Sequence, residues 1–283
     1  MTNTRCKDTD VVTQDDIAGG LKDIGVRPGM GLIVHSSLKS FGWVEGGPEA
    51  VLRALMDVLT PSGTLIMPTF NHDVPFREGG PGLFDPRRTP SGNGVITDRF
   101  WRMPGVCRSL NPTHPYAAWG RHARRYTEGH HLTLTMGPES PLGLLCSDGG
   151  FCLLMGVSYG KNTFHHVVET MLNAPCLGRR TEAYPVRMPD GTVEMLRTWG
   201  FREKGCPFHD GGHPSYIPLM RDVEHTTDVG GSTWRFYRLQ DAIEPIGRHL
   251  REGLGELPPC PGCPIRPRMT VATVASDVPD SYL

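Results

Sequence analysis

The sequence has no long apolar run. Its clearest, Phe151 to Val157, is seven residues, far below the roughly 18 needed to cross a bilayer. No charge of one sign dominates: 29 Lys and Arg stand against 30 Asp and Glu, a formal net charge of -1. That balance excludes a nucleic-acid binder built on a basic face and a polybasic membrane-surface protein. Eight cysteines in 283 residues are too few for a disulfide scaffold. The first residues carry Arg5, Lys7, Asp8 and Asp10 with no apolar stretch behind them, which predicts no signal peptide. Together these features predict a cytoplasmic protein with reduced thiols, partnered by neither nucleic acid nor membrane. The sequence also lacks an internal repeat, a Gly-Lys-Ser/Thr phosphate loop and a Gly-x-Gly-x-x-Gly fingerprint.

Glycine (35) and proline (26) are plentiful, yet their sum stays below the roughly 25–30% typical of disordered chains. The chain is turn-rich and globular, long enough for one large domain or two smaller ones. A polar end covers residues 1–12. Thr13 to Gly25 reads as a helix with Thr13 as N-cap and Asp15 and Asp16 in its first turn. Gly31 to His35 is a short apolar strand, Pro48 to Leu59 an amphipathic helix, and Thr64 to Met67 the next strand. Such a β-α-β unit predicts a parallel pair. From Asn71 to Gly105 the chain reads as a long surface excursion with a short helix near Thr97–Arg102. A strand follows at Phe151–Met155, a helix at Thr163–Leu172, strands between Tyr184 and Trp199, and a helix at Asp241–Arg251. These elements alternate strand and helix over residues 13–257. A Pro-rich tail occupies residues 258–283.

Four groups of residues could carry chemistry. His35, Ser36, Ser37, Leu38, Ser40, Phe41 and Gly42 follow a strand and precede a helix. Ligand crevices of open α/β sheets lie at such places, and free backbone N–H groups there suit a phosphate or a pantetheine amide. A plain β-α turn capped by serine is the alternative. In the second group, His166 and Glu169 are i,i+3 and His165 and Glu169 are i,i+4, after a loop with Asn162 and Thr163. A carboxylate beside an imidazole fixes the tautomer and raises basicity, so the pair could deprotonate an amine or hydroxyl; a surface ion pair is the alternative. In the third, Arg108 could grip a phosphate or carboxylate and His114 could act as a second acid/base group, against a purely structural Arg. In the fourth, Cys206, His209, Cys260 and Cys263 have the spacings of two zinc half-sites and together form a closed Cys3His set. Such a site would staple the tail to the body, with His213 as a competing ligand. Cys107 and Cys152 read as core thiols.

The run "GLIVHSSLKSFGWVEGGPEAVLRALMDVLTPSGTLIMPTF" from Gly31 resembles the aminoglycoside 3-N-acetyltransferase family. So do "FDPRRTPSGNGVITDRFWRMPGVCRSLNP" from Phe84, "AAWG" from Ala117, "GPESPLG" from Gly137 and "NTFHHVVE" from Asn162. The likeness covers about residues 13–172 and continues more weakly to about 250. It implies that the elements of residues 13–257 build an α/β fold with a central mixed sheet flanked by helices, unlike that of the GNAT enzymes, and a cleft for acetyl-CoA as co-substrate. The segment from Ser36 to Gly42 would line the pantetheine and phosphate path, with Arg108 near the cleft. By the family's spacing His166 is the catalytic base, Glu169 its orienting group and Thr163 a neighbour of the thioester. Direct transfer to a small-molecule amine follows, an aminoglycoside or amino sugar being the first acceptor class.

Two positions depart from the resistance enzymes. Asn111 stands where the family usually has His before Pro. Ser158-Tyr159-Gly160-Lys161 replaces a segment that often carries an acidic residue. Lys161 would repel a polycation, while Asp73, Glu78, Asp85 and Asp98 could supply acid to an acceptor, with Asn162 beside it. A biosynthetic acyltransferase using another amine or an acyl carrier protein as donor is the nearest alternative. A zinc-dependent hydrolase would need an open metal position, which a full Cys3His shell opposes. A non-catalytic CoA-binding protein is the third alternative, and a homodimer is the base-rate expectation for assembly.

Overall fold

The computed structural model describes residues 11–172, 180–201 and 216–252. The first helix, α1 (Gln14–Ile24), starts as expected at Thr13. The Thr13 hydroxyl accepts from the Asp16 N–H, and the Asp16 carboxylate accepts from the Thr13 N–H at 2.8 Å. This reciprocal cap satisfies donors that the first turn leaves open. Gly25, at φ 113°, ends the helix in the left-handed region. Strand β1 (Gly31–Ser36), helix α2 (Gly47–Leu59) and strand β2 (Thr64–Pro68) then form the expected unit, with β1 and β2 parallel. The excursion holds one short helix, α3 (Val95–Phe100), a little earlier than its sequence signal. The remaining elements are β3 (Cys107–Arg108), β4 (Tyr116–Gly120), α4 (Ala123–Thr127), α5 (Pro141–Ser147), β5 (Phe151–Met155), α6 (Phe164–Met171), β6 (Arg180–Arg187), β7 (Val193–Phe201), α7 (Tyr216–Met220), β8 (Glu224–Val229), β9 (Ser232–Arg238) and α8 (Leu239–Glu252).

The main sheet has seven strands in the order β3-β4-β2-β1-β5-β9-β8. Its centre, β2-β1-β5, is parallel, and the strands on both flanks are antiparallel. Strand alternation divides the core between the two faces. Leu32, Val34, Leu65, Met67, Leu153, Met155, Trp234 and Phe236 pack with α1, α2 and α3 on one face. Ile33, Ile66, Tyr116, Cys152, Leu154 and Tyr237 pack with residues of α5, α6 and α8 on the other. The result is the predicted mixed sheet between helical layers. Cys152 is a fully buried core thiol, pushed up to about 12 by burial, and Cys107 is half-buried at the edge of the same cluster.

The strands expected between Tyr184 and Trp199 form a hairpin, β6-β7, that is not part of the main sheet. It is joined to the excursion where the Phe84 N–H donates to Pro185 O and the Arg187 N–H to Phe84 O. Phe76 stacks on Tyr184 at 4.3 Å.

The expected Cys/His staple gains no support. Cys206, His209, His213, Cys260 and Cys263 all lie outside the described residues, and among the described residues no group of three or more His, Cys, Asp or Glu side chains could hold a metal. The polar end up to residue 10 and the tail 258–283 also lie outside them. No helix among the described residues is long and apolar enough to cross a membrane.

Candidate active site

Parallel pairing of β1 and β5 sets Ser36 beside Met155. The loops that leave these two strands therefore open at the same edge of the sheet. After β5 the chain turns at Gly156, whose φ is +66°; a Cβ there would lie 1.8 Å from the Ser40 hydroxyl. Glycine is required on both counts. A 3-10 turn at Tyr159–Lys161 then leads to Asn162, whose side-chain oxygen accepts from the Phe164 N–H at 3.2 Å and so caps α6.

The first turns of α6 hold the expected dyad. His166 Nδ1 lies 2.7 Å from Glu169 Oε2. A carboxylate only accepts, so Nδ1 carries the proton and Nε2 is left as the basic nitrogen. Glu169 is 2% exposed in its side chain, while His166 keeps 29%. Glu169 Oε1 also faces His165 Nε2 at 3.6 Å, and the His165 ring sits 6.1 Å from that of His249 on α8. A single buried carboxylate therefore lies between two imidazoles, of which only His166 reaches the surface.

His35, one residue before the end of β1, lies on the face that carries α6. Its Nε2 is 3.4 Å from the Thr163 hydroxyl, and that hydroxyl accepts from the Tyr116 phenol at 3.2 Å. Burial pulls His35 down to about 3, so it is a neutral imidazole. His114 is likewise held at about 3, first by burial and then by the nearby imidazoles of His72, His166 and His130. His72 and His114 meet edge to face at 5.3 Å, and Phe70 packs on both. His72 is lowered by desolvation; Asp73 opposes that shift, and Arg77 and Lys161 add to it. Lys161, exposed in the turn two residues before Thr163, is thus close enough for its charge to act on His72. His72 and Asp73 both have positive φ, at 50° and 66°. Such strain in non-glycine residues is often held at working sites.

Several residues singled out from the sequence are engaged elsewhere. Arg108 donates from Nε to the Thr69 hydroxyl at 3.0 Å, from Nη2 to Thr69 O at 2.8 Å and from Nη1 to Thr89 O at 2.5 Å. Its guanidinium lies 4.5 Å from the Trp101 ring. It ties the excursion to β2, and these donors are directed at Thr69 and Thr89. Asp98 accepts from the Ser91 N–H and Trp101 Nε1 and pairs with Arg102. Asp85 accepts from the Arg87 N–H and pairs with Arg187. Both carboxylates act on Arg108 and brace the excursion. Asp73 pairs with Arg77. Ser40 donates to Ser37 O and meets the Ser232 hydroxyl at 2.9 Å, and Phe41 is buried edge-on against Trp234 at 5.8 Å. Of the first group, Ser36 keeps a buried hydroxyl with no hydrogen-bond partner, and Gly42 has open space where a side chain would stand.

Sequence reasoning missed Tyr116 and His130. Within their network the Tyr116 N–H donates to Ser109 Oγ at 2.9 Å. His130 Nε2 donates to Thr135 O at 2.9 Å, which leaves Nδ1 to accept from the Ser109 hydroxyl at 2.9 Å. Asn111 accepts from the His114 N–H and donates to Thr135. The Arg-Ser-x-Asn-Pro spacing was the available signal, but it points to a loop rather than to this buried set.

His35, His114 and His130 stay neutral in the fold, at about 3, 3 and 4, against 6.5 for an ordinary histidine. The unfolded chain therefore binds up to three more protons once the pH drops below 6.5, and stability falls with it. Each contributes about 1.4 kcal/mol per pH unit, so the loss between pH 6 and pH 4 approaches about 4 kcal/mol per unit. Urea denaturation at stepped pH measures it; a flat midpoint from pH 7 to pH 5 contradicts it.

The family model described as aminoglycoside 3-N-acetyltransferase matches residues 33–250. An aminoglycoside N(3)-acetyltransferase III of Salmonella sp is 34% identical over 275 residues, 88% of this chain and 95% of its own length. The aminoglycoside N(3')-acetyltransferase-like protein YokD of Bacillus subtilis is 36% identical over 176 residues, 56% of this chain. Its crystal structure superposes with a TM-score of 0.72, covering 84% of this chain and 93% of that one. AAC-IIIb, solved as a binary complex with CoASH, has the same fold, with a TM-score of 0.73 at 23% identity, covering 88% of this chain and 100% of that one. Three of the curated relatives, YokD among them, are spanned over 64%, 59% and 63% of their own length. With the match reaching across 33–250 and the fold shared, the chain belongs to the aminoglycoside 3-N-acetyltransferase family.

Proposed function

We propose that this protein is an acetyl-CoA-dependent N-acetyltransferase acting on an amine of a small molecule. The observation that carries the reading is the Glu169–His166 pair at 2.7 Å, buried on the carboxylate side and open on the imidazole side. The strand ends beside it suit the co-substrate. The unpartnered buried hydroxyl of Ser36 offers a donor, and the chain at Gly42 has open space where a side chain would stand. These residues would hold the pantetheine arm, whose thioester supplies the activated acetyl group.

In this mechanism His166 Nε2 takes a proton from the neutral amine as the amine nitrogen attacks the thioester carbonyl carbon. The new C–N bond leaves negative charge on the carbonyl oxygen, and Thr163 donates to it. When the charge returns, the C–S bond breaks, and His166 passes its proton to the departing thiolate. The products are an amide and free CoA thiol. His35 and His114, neutral at working pH, add no competing cation to the cleft.

The first acceptor class is an aminoglycoside or amino sugar. A variant of AAC(3)-IVa, 28% identical to this chain, is known in complex with a gentamicin. Lys161, acting on His72 beside an Asp73 that pairs with Arg77, favours a second reading within the same chemistry: an acceptor with fewer positive charges, as in natural-product biosynthesis. An acyl carrier protein as donor is a further variant. The zinc hydrolase alternative finds no support among the described residues.

Thiol release from acetyl-CoA with a panel of aminoglycosides, simple amino sugars and amino acids tests the reading. Release with at least one amine should fall on the order of a hundredfold or more in His166→Ala; unchanged release in that variant overturns the assignment. In the same panel Lys161→Asp should raise kcat/KM for polycationic aminoglycosides about tenfold, an effect that shrinks as salt is added. No change at low salt removes Lys161 from acceptor selection.

A further inference from the structure

Thr163 holds the N-cap position of α6, yet its hydroxyl makes no capping bond. It turns instead to two side chains from different strands, Tyr116 on β4 and His35 on β1. A threonine hydroxyl has one proton and two lone pairs. The Tyr116 phenol donates into one lone pair at 3.2 Å. With His35 protonated on Nε2, that ring donates toward the other from 3.4 Å. Both acceptor sites are then occupied from behind, and the single proton of Thr163 is left to point forward.

From this geometry we infer that Tyr116 is a positioning residue, which, with neutral His35, aims the Thr163 proton at the carbonyl oxygen of the acyl group. The inference rests on the acyl-transfer reading given above. Tyr116 is suited to the task because it is fixed at both ends. Its N–H is held by Ser109, whose own proton goes to His130, and its ring is fully buried and packs edge-on against Phe70 at 5.1 Å. Met136 Sδ at 3.1 Å is the other acceptor within reach of the phenol, and sulfur is the weaker one. Burial raises the phenol well above its ordinary range and keeps His35 neutral. The arrangement therefore keeps its own protons in place during the transfer.

Without Tyr116 the Thr163 hydroxyl can rotate, and its proton is shared among orientations that do not face the substrate. Tyr116→Phe removes the donor and keeps the ring. In that variant kcat should fall about tenfold, below the roughly 100- to 1,000-fold typical for losing an oxyanion donor outright, with KM for acetyl-CoA unchanged. The deciding arm is the same substitution made in Thr163→Val, where the account predicts no further loss. An equal fall in both backgrounds shows that Tyr116 acts through packing and overturns the inference, as does a wild-type kcat in Tyr116→Phe. A wild-type rate in Thr163→Val also overturns it, while the His166→Ala result still decides separately whether acyl transfer occurs. Matching thermal melts of Tyr116→Phe and wild type should accompany the kinetics; a melt shifted far enough to account for the lost rate counts against the inference.

Discussion

Everything at the candidate site depends on two parallel strands ending side by side. The pairs His35–Leu154 and Ser36–Met155 bring the turn after β1 and the loop after β5 to one edge of the sheet. One turn offers backbone and the Ser36 hydroxyl; the other delivers Thr163, His166 and Glu169. The antiparallel hairpin β8-β9 fixes both from the flank. Gly231 N–H donates to Phe41 O, Ser232 meets Ser40, and Glu224 holds the Tyr159 phenol. No side chain can be added at Gly156 without pushing these parts apart. The geometry of the site is thus a consequence of sheet register and close packing.

The electrostatic logic is one of division. Nearly all the imidazoles around the cleft are stripped of water and kept neutral, chiefly by desolvation, with neighbouring imidazoles adding to the shift at His114 and His130. Glu169 is buried too, but against His166, so its charge has one productive partner in reach of the surface. In the proposed reaction, a proton leaving the amine goes to His166. Neutral imidazoles around one surface-reaching His–Glu pair suit the proposed reaction, in which charge appears briefly on an oxygen and a nitrogen and then disappears.

Much of this was legible in the sequence, because it rests on local patterns. The i,i+3 spacing of His166 and Glu169 puts them on one helix face whatever surrounds them. Thr13 with Asp16, the apolar stripe of α2 and the short runs of β1, β2 and β5 are equally local. What was hidden depends on distant contacts. Arg108 looks like an anion grip from its chemistry, and only the fold shows its donors directed at Thr69 and Thr89. Tyr116 sits among small residues in β4, where no periodicity marks it, and its importance arises 47 residues away at Thr163. The β8-β9 hairpin did carry a signal, since Gly230 and Gly231 form its turn and Trp234 and Phe236 alternate toward the core. The acidic residues of the excursion illustrate the converse. Asp85 and Asp98 are common types with many uses, and their neighbours assign them to bracing.

The central claim is that Glu169 fixes His166 as the base, and Glu169→Gln tests it most directly. The amide keeps the size of the carboxylate but removes its charge and can donate to Nδ1, which favours the wrong tautomer. The account predicts a fall in kcat on the order of a hundredfold or more, with KM for acetyl-CoA little changed and the His166 proton seen on Nε2 by nitrogen-15 NMR. A variant that keeps wild-type kcat, with the His166 proton still on Nδ1, would contradict it.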